Sequence, residues 1–198
     1  MEEHTKIDDL EIIENALTDT EQCQLNSTLS KALWRYGWPI HPNPFSRPCW
    51  HIFIAGSERS SLHCCERELA DHEQWGFLIN VWRRLRSSSM KNSRLIGVYA
   101  NGQTAGQDGP IHRDNDLFEP GRTAVLFCND YWAMAWGGEL TFFNPMKTDV
   151  TATVLPKPNR VVVFNGKIPH RANSPFMSCD RLRMTIAFKT VDQDIGHE

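Results

Sequence analysis

Six short runs rich in β-branched and aromatic residues, at 95–100, 123–128, 139–143, 150–155, 161–164 and 181–189, are separated by turn-forming clusters. Strands of this length and spacing predict an all-β sandwich or barrel, because each run is too short to bury an apolar face by itself. The intervening Gly137-Gly138, 156–159 and Asn165-Gly166 clusters supply the turns. The first ninety residues are written differently. Residues 10–17 read as a strand, Thr18 and Glu21 form a capping box, and Leu25, Leu29, Ala32 and Leu33 give the helix that follows, to about Trp34, one buried stripe. Gly37 and Pro39 are expected to stop it, and an irregular proline-bearing connector is expected from Ile40 to Pro48. A strand is expected at 50–55 and a second helix from Glu66 to Arg86, with Arg83, Arg84 and Arg86 complementing its C-terminal dipole. The expectation is one domain over 1–198, with residues 1–93 as a helical buttress plus strands and 94–190 as the β core.

A chain of 198 residues with 40% hydrophobic and 23% charged residues falls in the ordinary globular range. Its net charge of -3 offers no basic field for phosphates, so a small-molecule partner is expected rather than nucleic acid. No run approaches the ~20 apolar residues of a membrane span. The opening MEEHTKIDDLEI lacks the basic and apolar regions of a signal peptide, and the six scattered cysteines read as free thiols. A cytoplasmic location is the expectation, and oligomeric state is left open.

Chemistry is concentrated at three residues. His112 and Asp114 stand two apart, a spacing at which extended backbone turns both side chains the same way. His170, beyond the 161–164 strand and the Asn165-Gly166 turn, supplies a third ligand at a strand edge. Two imidazoles and one carboxylate on one face of an ion leave positions open for a chelating cosubstrate and O2, the donor set of non-haem iron(II) oxygenases. Arg181 opens the last strand, where alternation puts Arg181, Arg183, Thr185 and Ala187 on one face, and a bidentate arginine there would hold a cosubstrate carboxylate. Arg183 is the rival arginine, two residues before Thr185.

The order H-x-D, W-x-x-x-W-G-G-E-L, N-R-V-V-V-F-N-G-x-x-P-H and R-L-R-M-T-I-A-F resembles the 2-oxoglutarate- and iron(II)-dependent dioxygenases, in particular their prolyl-hydroxylase-like branch. The resemblance implies a mainly β fold with a double-stranded β-helix (jelly-roll) core flanked by N-terminal helices. It also implies His112, Asp114 and His170 on Fe(II), and Arg181 on the 5-carboxylate of 2-oxoglutarate. Thr185 and Tyr99 are further candidates for cosubstrate contact, and the stretch 124–128 lacks the tyrosine that some members place near that carboxylate. The implied cofactors are Fe(II), 2-oxoglutarate and O2, with ascorbate as a stimulant. The implied reaction is hydroxylation of an unactivated C–H of an amino acid, sugar or natural-product intermediate, with release of succinate and CO2. The retained carboxylate ligand Asp114 favours hydroxylation over halogenation. The alternatives are a prolyl or other protein side-chain hydroxylase, and a non-enzymatic metal or 2-oxoglutarate sensor. Trp132 and Trp136 read as sheet-corner packing or a substrate mouth, Gly102 to Pro110 as a lid or a connector, and Asn115 with Asp116 as supports for the ligands.

Overall fold

The computed structural model describes residues 4–7, 9–39, 47–56, 62–115 and 119–193. The chain runs through strands β1 (His4–Ile7) and β2 (Leu10–Ile13), helix α1 (Asp19–Lys31), β3 (Arg35–Pro39) and β4 (Pro48–Ala55). Helices α2 (Glu66–Ala70) and α3 (Leu78–Ser87) precede β5 (Ser93–Gln103) and β6 (Arg122–Phe127). The remaining strands are β7 (Leu140–Phe143), β8 (Val150–Val154), β9 (Val161–Asn165), β10 (His170–Ala172) and β11 (Arg183–Asp192).

All strand pairing is antiparallel in two sheets, an eight-stranded one in the order β1-β2-β9-β6-β11-β5-β4-β3 and a three-stranded one, β10-β7-β8. This is the mainly β jelly-roll architecture expected. Each of the six runs from 95 onward is a strand. Two features were not legible in advance. The N-terminal strands do not stand apart from the catalytic core: β2 extends the large sheet at β9, and β4 extends it at β5. The short β10 was missed because three residues carry no periodicity.

Period-two alternation sorts the large sheet into two packed faces. Val161, Val163, Ile186 and Phe188 join a core with Leu25, Leu69, Leu78 and Trp82 from the helices. Val162 and Phe164 turn the other way and meet Leu140, Phe142 and Val154 of the small sheet. The cavity described below opens between the sheets, on the face away from the helices.

Helix α1 begins at the expected capping box: the Glu21 backbone N–H donates to Thr18 Oγ1 at 3.2 Å, and the Thr18 N–H donates to Glu21 Oε2 at 2.9 Å. It ends at Lys31, where Ala32 takes an extended conformation and the chain enters β3. Glycine at 37, with φ of 111°, marks the irregularity in the β3–β4 register and does not simply stop a helix. The expected connector at 40–48 falls mostly outside the described residues. The second helical stretch is broken in two, because the His72 ring Nδ1 accepts from the backbone N–H groups of Gln74 and Trp75 and so competes with the helical bonds.

Glu21 also accepts two hydrogen bonds from the Arg84 guanidinium, at 2.9 and 2.7 Å, which ties α1 to α3. Burial pushes the Glu21 carboxyl up, but the bonds from Arg84 and Thr18 outweigh it and hold the group below its ordinary 4.5. A carboxylate with a depressed folded value stabilises fully above its unfolded value and loses that contribution as pH falls through the folded one. Glu21→Gln is therefore expected to cost about 2 kcal/mol at neutral pH, roughly 4–8 °C in Tm for a chain of this size. In thermal melts across pH, the gap between variant and wild type should hold constant above 4.5 and close on further acidification.

Candidate active site

A single cross-strand contact builds the centre of the site. The His112 N–H donates to His170 O at 3.0 Å and the His170 N–H donates to His112 O at 2.9 Å, an isolated antiparallel bridge that sets the two imidazoles side by side, ring centroids 4.5 Å apart. Asp114, two residues on, closes the triangle. His112 Nε2 lies 3.4 Å from Asp114 Oδ1 and His170 Nε2 lies 3.4 Å from Asp114 Oδ2.

One donor atom from each of the three residues lies within 4.8 Å of the others. That spacing suits one ion bound at ~2.1 Å. His112 Nδ1 lies 2.9 Å from Pro110 O and His170 Nδ1 lies 2.9 Å from Ile168 O. A carbonyl only accepts, so each Nδ1 carries a proton, and Nε2 is the ring nitrogen turned toward Asp114 and the prospective ion. Burial pushes His170 down to about 4, although the Asp114 carboxylate pulls the other way, so the ring is neutral and ready to ligate at physiological pH. Burial of the Asp114 carboxyl raises its pKa, yet Lys189 and the two histidines outweigh this and hold it well below the usual carboxylate range. Its Oδ2 accepts from Thr123 Oγ1 at 2.7 Å and its Oδ1 pairs with the Lys189 ammonium. The donors present fit a divalent ion in composition, protonation state and spacing.

The neighbouring turn holds Asp114 by close approach. The Asp114 and Asn115 N–H groups both donate to Gly166 O, at 2.8 and 3.1 Å. A Cβ on Gly166 would lie 1.8 Å from Asn115 Oδ1 and 2.7 Å from its Cγ, so any larger residue must push the Asn115 side chain aside. Gly166→Ala is expected to displace the Asp114 segment and weaken metal affinity about tenfold or more, as measured by equilibrium titration with Mn(II). Asp116 lies outside the described residues.

A cavity of about 300 Å³ surrounds the triad, lined by residues that include Tyr99, Gln103, Thr185, Arg183 and Lys189. Strand register explains the lining. Tyr99 sits opposite Ala187 and Phe53, Asn101 opposite Thr185, and Gly97 opposite Lys189, all facing the small sheet. Thr185 is buried and faces the interior as expected, as does Tyr99.

Arg181 is not brought to the cavity. Strand β11 begins at Arg183, so the alternation read across 181–187 does not reach Arg181. Its side chain is 45% exposed, pairs with Asp130 at 3.0 Å and lies over the Tyr131 and Trp136 rings. The geometry offers Arg183 in its place, 1% exposed and lining the cavity. Arg183 Nε donates to Gly138 O at 2.6 Å and Nη1 donates to Gln103 Oε1 at 2.8 Å, while Nη2 is buried with no hydrogen-bond partner among the described residues. Burial pushes this guanidinium down to about 10, which leaves it cationic at neutral pH. A buried cation with one vacant donor calls for an anion. Gly138, at φ of 82°, makes room for it: a Cβ there would lie 3.0 Å from Arg183 Cδ.

Trp132 is buried, donates from Nε1 to Gly137 O at 2.9 Å and packs edge-on to Trp136, which makes the pair a sheet corner and not a mouth. The connector that ends at Pro110 is stitched down: Gln103 Nε2 donates to Gln107 O, Gln107 Nε2 to Pro48 O, and the Ser174 N–H to Asp108 Oδ1. Sequence reasoning missed Lys189, Thr123, Gln103 and the aromatic wall of Trp38 and Phe53. Extending the β11 alternation by one more step would have found Lys189.

Residues 97–189, a little under half of the chain, match the 2OG-Fe(II) oxygenase superfamily. A search of curated proteins finds no significant match. Among solved structures, a Trichoplax adhaerens prolyl hydroxylase, described in complex with a hypoxia inducible factor peptide fragment, superposes with a TM-score of 0.66 at 17% identity, covering 93% of this chain and 84% of that one. A Pseudomonas putida prolyl-4-hydroxylase gives 0.63 at 15% identity, covering 92% of each chain. SnoK, a non-heme alpha ketoglutarate dependent carbocyclase from nogalamycin biosynthesis, gives 0.59 at 13% identity, covering 93% of this chain and 79% of that one. The stretch that carries His112, Asp114, His170 and Arg183 thus matches the 2OG-Fe(II) oxygenase superfamily, and its three-donor cluster is one that could hold a metal ion. The fold of the chain is shared with enzymes described as prolyl hydroxylases and with a carbocyclase.

Proposed function

We propose that the protein hydroxylates an unactivated C–H of a small molecule, with His112, Asp114 and His170 as the iron ligands and Arg183 as the anchor for the 5-carboxylate of 2-oxoglutarate. The observation that carries this reading is one concave cavity holding both the three-donor cluster and a buried arginine with a vacant N–H. When bound, iron(II) with 2-oxoglutarate supplies the activation of O2 that drives the oxidation and releases succinate and CO2.

The chain's own residues bind and orient. Pro110 and Ile168 carbonyls lock both imidazoles in the tautomer that ligates through Nε2. Thr123 fixes the Asp114 carboxylate. Gln103 and Gly138 aim the Arg183 fork, so that its vacant N–H meets a carboxylate in a site largely screened from water. Thr185, beside Arg183 on the same face, offers a hydroxyl to the same carboxylate, and Tyr99 offers one across the cavity. A cavity of about 300 Å³ has room for a small organic molecule beside the cosubstrate, which supports the small-molecule reading.

The test is succinate release with Fe(II), 2-oxoglutarate and ascorbate across amino acids, sugars and proline-containing peptides, scored together with product mass. Turnover with a small molecule and a gain of one oxygen is expected. Turnover confined to peptides would favour protein side-chain hydroxylation; two of the structural neighbours are described as prolyl hydroxylases. Among the described residues no helix is long and apolar enough to cross a membrane.

A further inference from the structure

From an open stretch of the cavity floor, we infer that the molecule oxidised here bears an aromatic ring, seated in the space that Gly97 leaves free and packed against Phe53. The inference deepens the proposed function and rests on the metal and cosubstrate sites assigned there.

Gly97 lies inside β5, opposite Lys189 of β11, and shares the cavity-lining face of its strand with Tyr99, Asn101 and Gln103. A glycine within a strand weakens it, so its presence marks a special conformation or a close approach that excludes a side chain. Conformation does not explain Gly97, because its φ lies outside the left-handed region. Crowding does not explain it either: within 4 Å a Cβ built there meets Lys189 Cβ alone, at 3.9 Å, which is ordinary contact. Gly56 beside it is the contrast, with a φ of 83° and a Cβ that would collide with Ile96 O and lie 2.8 Å from Gly97 Cα. Gly56 answers to the backbone, whereas the absence of a side chain at 97 keeps cavity space open. An opening of this kind on an inward strand position is where a ligand approaches.

The walls beside the opening say what fills it. Next to Gly97 on the inward face is Tyr99, whose Cα partners are Ala187 on one side and Phe53 on the other. Phe53 lines the cavity and is 41% exposed. Trp38 packs edge-to-face on it at 4.8 Å, and the His51 ring meets it edge-on at 5.7 Å. These contacts fix the Phe53 ring while leaving much of its surface uncovered. A saturated chain placed there gains contact area alone, whereas an aromatic ring gains an offset-stacked or edge-to-face contact as well. The small Ala187 and the bare Gly97 give such a ring room. The opening also stands beside the three-donor cluster, since Lys189, opposite Gly97, pairs with Asp114. A ring seated over Gly97 therefore brings its substituents next to the triad.

The experiment uses the full chain loaded with Mn(II) and 2-oxoglutarate and titrated with two neutral probes, benzyl alcohol and cyclohexylmethanol, one aromatic and one saturated. Binding is read from the relaxation that Mn(II) induces in the probe protons by NMR, with the Zn(II)-loaded protein as the diamagnetic reference, so only molecules close to the metal are counted. Wild type is expected to show saturable relaxation with benzyl alcohol and to prefer it about fivefold. Gly97→Val should weaken benzyl alcohol binding about tenfold or more, keep the 2-oxoglutarate affinity within about twofold and leave the Tm no lower, because its side chain fills open space. Phe53→Leu, which keeps an apolar side chain and loses the ring, should bring the two probes to within about twofold of each other. No saturable relaxation with benzyl alcohol, equal affinity of wild type for both probes, undiminished binding in Gly97→Val, or a preference that survives in Phe53→Leu overturns the inference. A Gly97→Val protein whose Tm falls together with its probe affinity also overturns it, because the glycine would then serve the fold. Failure of 2-oxoglutarate to bind the Mn(II)-loaded wild type would instead overturn the reading on which the inference rests, and that step is measured first.

Discussion

Arg183→Leu is expected to raise the dissociation constant for 2-oxoglutarate by about 100-fold or more in the Mn(II)-loaded protein, while Arg181→Leu leaves it within about twofold. The difference follows from burial. Arg183 is 1% exposed, cationic at neutral pH, and aimed by Gln103 and Gly138 with its Nη2 unspent. Losing one member of a buried, hydrogen-bonded charge pair costs about 3 kcal/mol or more, which converts to roughly two orders of magnitude. Arg181 makes an ion pair with an Asp130 side chain that is 65% exposed, an interaction worth at most about 1 kcal/mol and remote from the cavity. Arg183→Lys should fall between, because an ammonium keeps the charge and loses the planar fork. Circular dichroism on each variant separates lost binding from lost folding. Retained 2-oxoglutarate affinity in Arg183→Leu with lost affinity in Arg181→Leu would return the anchor to Arg181.

The second large effect concerns the ion. Mn(II) in excess is expected to raise the Tm of wild type, because a ligand that binds only the folded chain stabilises it by mass action. Asp114→Ala should abolish that shift and weaken Mn(II) binding by on the order of 10³-fold, about 4 kcal/mol. Asp114 is the anionic member of the donor set, and imidazole ligands bring no negative charge to offset the ion's. The metal-free variant should also melt lower than metal-free wild type, since the mutation strips a mostly buried Lys189 of its carboxylate. A metal-induced shift of undiminished size in Asp114→Ala would remove the carboxylate from the ligand set.

The strands of the catalytic half were legible because alternation survives in short runs when one face meets the small sheet and the other meets helices, as Ile186 and Phe188 against Thr185 and Ala187 show. The triad was legible because each ligand sits beside a readable turn or strand. What stayed hidden depended on where a strand starts and on contacts across the sheet. Arg181 and Arg183 share a parity, so periodicity alone cannot tell which of them is inside. The choice is made by the bend before β11, where Leu182 packs over Gly102, and by the vacant space that Gly138 leaves for Arg183. Trp38 and Phe53 reach the cavity only because β3 and β4 join the large sheet beside β5, a pairing with no local signature. The split of the second helix turned on one His72 nitrogen competing for backbone N–H groups, which no count of apolar positions registers.

The most direct measurement is anomalous diffraction from crystals grown with Mn(II) and 2-oxoglutarate. One strong peak is expected, at ~2.1 Å from His112 Nε2, an Asp114 carboxylate oxygen and His170 Nε2, with the far carboxylate of 2-oxoglutarate on Arg183. A peak elsewhere, or an ion held without all three of those side chains, would contradict the assignment.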